Sequence, residues 1–80
     1  MTIKILLVDD DPTLLRFLQD YLVGEGYQVW ATNNGPEGLR VAYREHPDIV
    51  VLDVMMPVMD GWEVTRRLRE MADVPIILLT

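Results

Sequence analysis

Residues 47–64 read PDIVVLDVMMPVMDGWEV. Ile49 to Leu52 form an apolar run of strand length, closed by one acid, Asp53. The loop from Val54 to Met59 then carries Pro57 and leads into Asp60-Gly61-Trp62-Glu63. An apolar run with no polar alternation is what a strand requires when helices cover both faces of a parallel sheet, so the stretch predicts a buried strand presenting a carboxylate at its end. Asp60 and Glu63 have the spacing of a capping box, and Val64, Leu68 and Met71 then fall on one helical face.

The same pattern extends toward both ends of the chain. Ile3 to Val8 reads as a first strand, and Asp11-Pro12 supplies a capping side chain followed by proline at the first helical position. Leu14, Leu15, Leu18, Tyr21 and Leu22 share a helical face that ends at Gly24-Glu25-Gly26. Gln28 to Thr32 is a second strand, Asn33-Asn34-Gly35-Pro36 repeats the cap, and Leu39, Ala42 and Tyr43 give the next helix a buried face up to His46-Pro47. Ile76 to Leu79 is a fourth strand. Strands alternating with helices predict an α/β, doubly wound parallel sheet. Right-handed crossovers require the strand order to reverse once, and the functional crevice lies at the carboxyl ends beside that reversal.

Composition narrows the chemistry. The chain has 80 residues, 50% of them hydrophobic, and a net charge of −6 from seven basic and thirteen acidic side chains. A chain this acidic has little with which to neutralise nucleic-acid phosphates, so nucleic-acid binding by these residues is not expected. The absence of cysteine excludes disulfides and thiolate metal sites. The apolar runs are too short to cross a bilayer, and Met1-Thr2-Ile3-Lys4 has no signal-peptide layout, so a cytoplasmic location away from the membrane is expected.

The first strand ends in Asp9-Asp10-Asp11 and the third in Asp53. If the two strands are parallel neighbours, their carboxylates crowd one edge, and crowded like charges become favourable when a hard dication with a preference for oxygen ligands lies among them. Asp11 is set apart as a helix cap. Trp30 and Trp62 read as core or rim residues, His46 as a solvated or capping residue, and Arg66, Arg67 and Arg69 as a solvated face.

Taken together, LLVDDDP (residues 6–12), PDIVVLDVMMPVMDGWEV (residues 47–64) and VPIILLT (residues 74–80) resemble the response regulator receiver domains of two-component phosphorelay signalling, from Ile3 to Thr80. The resemblance implies a flavodoxin-like fold with strand order 2-1-3-4 and a phosphoacceptor module rather than an enzyme. It assigns the phosphoacceptor to Asp53, a carboxylate nucleophile that takes a phosphoryl group from a histidine kinase or a small phosphodonor. It further assigns Mg²⁺ to Asp10, Asp53 and the Met55 backbone carbonyl, with Asp9 acting through water, and a phosphate-sensing hydroxyl to Thr80.

Members of that family resemble five strand-helix units, with a lysine closing the fifth strand. Residues 1–80 match the first two-thirds, and the single lysine, Lys4, lies at the opposite end of the first strand. Impaired switching is therefore expected of these residues alone. With Ile76 to Leu79 apolar on both faces at a sheet edge, a homodimer formed by edge pairing or strand exchange is expected, or else a complementing fragment. Two other readings use the same residues. Asp9-x-Asp11-x-Thr13 fits the nucleophile signature of haloacid-dehalogenase-like phosphatases, although that leaves Asp53, Pro57 and Gly61 without a role. A non-catalytic assembly module on a receiver scaffold would use the fold but not the acids.

Overall fold

A computed structural model of the chain describes residues 2–79. Seven elements follow one another: β1 (Lys4–Val8), α1 (Pro12–Gly24), β2 (Gln28–Thr32), α2 (Gly35–Glu45), β3 (Ile49–Asp53), α3 (Gly61–Met71) and β4 (Ile76–Leu79). The four strands form one parallel sheet in the order β2-β1-β3-β4. The order reverses at β1, which has β2 on one side and β3 on the other. Because each crossover is right-handed, the reversal puts α1 on one face of the sheet and α2 and α3 on the other.

Alternation along β1 divides the core. Ile5 and Leu7 pack with Leu15 of α1, whereas Leu6 and Val8 pack with Val50 and Leu52 of β3, Val41 and Ala42 of α2, and Val64 and Leu68 of α3. Two-sided burial explains why β1 and β3 show no polar alternation.

The caps follow the sequence closely. Asp11 accepts from the amides of Thr13 and Leu14 at 3.0 and 3.2 Å, and Asn34 accepts from the Glu37 amide at 2.8 Å. His46 closes α2 in the left-handed conformation (φ 49°) and donates its amide to the Ala42 carbonyl.

Three expectations about side chains need correction. Tyr21 and Tyr43, assigned to buried faces, are 59% and 62% exposed: each lies at the rim of its helical stripe, where a phenol can remain in water. Of the two tryptophans read as core or rim, Trp30 packs against the core and Trp62 is mostly exposed. The capping box is only half formed. Asp60 accepts from the Glu63 amide at 2.9 Å, but the Glu63 carboxylate turns outward to Arg66 and Arg67 instead of back to the cap.

Candidate functional site

The β1–β3 register aligns Val8 with Leu52, so the next residues of the two strands, Asp9 and Asp53, emerge together at the carboxyl edge beside the strand reversal. Asp10 follows directly. One carboxylate oxygen from each of Asp9, Asp10 and Asp53 lies within 4.8 Å of the other two. Asp9 is buried at 5% exposure, Asp53 is half-buried and Asp10 faces solvent.

Backbone donors orient two of these side chains. The Asp11 amide donates to Asp9 Oδ1 at 2.9 Å, and the Met55 amide donates to Asp53 Oδ1 at 3.0 Å. In each case the residue two positions on holds one oxygen, and no other donor among the described residues reaches either group. Burial pushes the Asp9 carboxyl above its ordinary pKa. The Asp11 amide opposes that shift, and the charges of Asp53, Asp10 and Asp11 add to it.

No basic side chain balances the cluster among the described residues, whose ion pairs all lie on helix surfaces or at their ends. Lys4 is at the far end of β1, where Nζ donates to the Glu45 carbonyl at 2.6 Å and lies 5.6 Å from the centre of the Trp30 ring. Three hard, anionic oxygen donors with one desolvated member and no cationic partner form a donor set suited to a small oxygen-seeking dication.

The arrangement separates the acids named from the sequence. Asp9, Asp10 and Asp53 come together, whereas the Asp11 carboxylate serves the α1 cap. The Met55 side chain is 78% exposed, and its amide is the group that holds Asp53. Thr80 lies outside the described residues.

Two contributors were not anticipated. Thr32 is buried, donates Oγ1 to the Leu7 carbonyl at 2.9 Å and accepts the Asp9 amide at 3.1 Å through its own carbonyl, so β2 braces the end of β1. Its signal was a hydroxyl at the last position of a strand. Val58 has φ 69°, a conformation costly for a β-branched residue, with its side chain fully in solvent. Nothing in its residue type foretold that.

The sequence pattern described as the response regulator receiver domain matches residues 5–80. The chain belongs to this family. It is 51% identical over 77 residues to the probable transcriptional regulator ycf27 of Pyropia yezoensis, covering 96% of this chain and 32% of that protein. It is 44% identical over 78 residues to the transcriptional regulatory protein PcoR of Escherichia coli, covering 96% of this chain and 34% of the relative. The chain thus spans about a third of the length of these curated relatives.

Solved receivers share the fold. The N-terminal domain of a response regulator receiver protein from Methanoculleus marisnigri superposes with a TM-score of 0.91 at 36% identity, covering 96% of this chain and 65% of that one. The receiver domain of a sensor histidine kinase from Pseudomonas aeruginosa, solved with a magnesium ion coordinated in its active site cleft, gives a TM-score of 0.91 at 35% identity, covering 100% of this chain and 68% of that one. The receiver is accordingly a two-component signalling module of flavodoxin-like fold. None of its described helices is long and apolar enough to cross a membrane.

Proposed function

We propose that this receiver accepts a phosphoryl group on Asp53 in a Mg²⁺-dependent reaction, with a histidine kinase or a small phosphodonor as the source. The observation that carries the proposal is the convergence of Asp9, Asp10 and Asp53 from two strand ends within 4.8 Å, with no basic partner among the described residues. Asp10, Asp53 and the Met55 carbonyl would hold the ion, with Asp9 reaching it through water. When bound, Mg²⁺ supplies positive charge against both the carboxylates and the equatorial oxygens of the incoming phosphoryl group.

The chain's own residues supply position. The Met55 amide fixes Asp53 Oδ1, which limits rotation of the carboxylate and leaves the other oxygen to attack phosphorus in line with the leaving group. The new O–P bond gives an acyl phosphate, while the donor's P–N or P–O bond breaks and its electron pair leaves with the imidazole or carboxylate. Thr32 and the Asp11 amide keep Asp9 directed at the same point from β1. Thr80 is proposed as the hydroxyl that bonds the acyl phosphate. Residues 1–80 are proposed as the first two-thirds of a cytoplasmic receiver unit.

Acetyl phosphate with Mg²⁺, followed by mass mapping, tests this reading. It requires label on Asp53, lost in Asp53→Asn and lost with chelator. Label on Asp9 would instead favour the phosphatase-like chemistry, which Asp9 suits poorly because it is buried. A chain that takes neither phosphate nor beryllofluoride would be an assembly scaffold.

Self-association is a second element of the proposal. Among the described strands β4 pairs only with β3, and Ile3, Tyr27, Val51 and Ile77 line an open apolar groove of about 560 Å³ on the α1 face. We propose that two copies of the 80-residue chain pair through this edge and groove. A monomer at micromolar concentration in sedimentation experiments would remove that part.

A further inference from the structure

Of the five glycines, Gly61 alone has a missing Cβ position against backbone, and that backbone belongs to the proposed phosphoacceptor. A Cβ there would lie 2.6 Å from the Asp53 carbonyl oxygen and 2.7 Å from the Val54 Cα, inside the 3.0 Å limit that real Cβ atoms respect. Neither atom can move away by rotating a side chain. At Gly35 and Gly38 the nearest contacts are side-chain atoms of Val64 and Met59, and of Val8 and Thr32. The Gly61 φ is not positive, so the position needs glycine for space and not for conformation.

One bond ties the approach and a second braces it: the Gly61 amide donates to the Val54 carbonyl at 2.9 Å across the junction, and Thr65 Oγ1 donates to the Gly61 carbonyl at 2.8 Å from within α3. The first turn of α3 is thereby docked on the end of β3 at the residue whose carboxylate faces Asp9 and Asp10. We propose that Gly61 is a positioning residue for Asp53. By letting α3 approach the Asp53 carbonyl, it sets where the Asp53 carboxylate sits relative to β1, and so sets cation affinity and phosphoryl transfer. The inference rests on the phosphoacceptor reading above.

A methyl group at position 61 must push α3 and the end of β3 apart by several tenths of an ångström. A misplacement of about 1 Å at reacting groups can cost about 100-fold in rate, and a shift of several tenths costs part of that. For Gly61→Ala the expected result is at least tenfold weaker Mg²⁺ binding by calorimetry and about 10- to 100-fold slower labelling by acetyl phosphate, both referred to the folded fraction.

Val41→Ala is the control for lost packing. Val41 is buried at 3% exposure in α2, and its truncation lowers stability while leaving the Mg²⁺ affinity of folded protein unchanged. Trimethylamine N-oxide raises the folded fraction of every variant, so that binding and labelling are compared on folded protein. Should Gly61→Ala still not fold, Thr65→Val removes only the bond to the Gly61 carbonyl and is expected to weaken Mg²⁺ binding two- to fivefold, on the order of one lost hydrogen bond.

A folded Gly61→Ala variant that binds Mg²⁺ and takes label like the wild type overturns the inference and leaves the phosphoacceptor reading standing. So does an unchanged Thr65→Val variant if the alanine variant cannot fold. A wild-type chain that neither binds Mg²⁺ nor is labelled overturns the phosphoacceptor reading itself, and this inference with it.

Discussion

Removing the charge of Asp53 tests the cluster most directly, because the effect on stability should change sign with the cation. Asp9 and Asp10 are chain neighbours and repel one another in the unfolded state as well. Only the pairs that Asp53 makes with them are created by folding. At 4.8 Å, the upper limit of the separations, each pair costs about 0.9 kcal/mol in a water-like dielectric and about 3.5 kcal/mol at an effective dielectric of 20. The pair with exposed Asp10 follows the water-like figure and the pair with buried Asp9 costs more, so about 2 kcal/mol is the lower figure for the two pairs. Screening at 0.1 M salt reduces that to about 1 kcal/mol.

Asp53→Asn keeps the oxygen that accepts from Met55 and should therefore stabilise the metal-free fold by about 1–2 kcal/mol. In a domain of this size that raises Tm by about 4–8 °C per kcal/mol. Magnesium reverses the order. At 100 times its Kd a ligand stabilises the folded state by about 2.7 kcal/mol, whereas a variant whose affinity has fallen 100-fold gains only about 0.4 kcal/mol. Urea unfolding of both proteins at fixed ionic strength, with EDTA and then with MgCl₂, reads both effects. An asparagine variant less stable than wild type in EDTA, or one gaining as much from Mg²⁺ as wild type, would refute the electrostatic argument.

Other substitutions probe the surrounding structure. Val58→Asn relieves a β-branched residue at φ 69° and should stabilise the chain by about 1 kcal/mol in chemical denaturation without altering Mg²⁺ affinity. Hydrogen bonds from Arg66 and then Arg67 lower the Glu63 pKa from 4.5 to about 2, so the folded state releases this proton more readily than the unfolded chain. The resulting stability is present above the unfolded pKa of 4.5 and is lost as pH falls toward 2; Glu63→Gln should flatten that part of the stability–pH curve, and less visibly in high salt because the group is exposed. Lys4→Met gives up the bond to the Glu45 carbonyl and the contact with Trp30, and is expected to cost about 1 kcal/mol in thermal unfolding while leaving acetyl phosphate labelling unchanged. A labelling defect in that variant would place Lys4 nearer the reaction than its position at the far end of β1 allows.

Much of the architecture was legible because its causes are local. Unbroken apolar runs at Leu6 to Val8 and Ile49 to Leu52 require burial on two faces, and the Asp11-Pro12 and Asn34-Gly35-Pro36 signals start helices where those helices begin. Alternating strands and helices, with right-handed crossovers, then leave few topologies, and order 2-1-3-4 is the one adopted. Asp9, Asp10 and Asp53 stood out as acids at the ends of apolar strands, but their spacing in the chain does not measure their spacing in space.

Tertiary structure decided what depends on contacts between distant segments. Parallel register aligned Val8 with Leu52 and so placed Asp9 beside Asp53. Burial then distinguished Asp9 from the exposed Asp10, which has the same side chain one residue later. The contact of Gly61 with the Asp53 carbonyl arises from docking α3 on the end of β3, which neither element contains alone, whereas the outward turn of Glu63 to Arg66 and Arg67 is a competition among neighbours one helical turn apart. Periodicity also overestimated burial at Tyr21 and Tyr43, since it marks a side of a helix without revealing how far the neighbouring layer extends. Sequence therefore determined the elements and the chemistry available at their ends; packing determined which of those groups share a site, how far each is desolvated and which backbone atoms hold it in place.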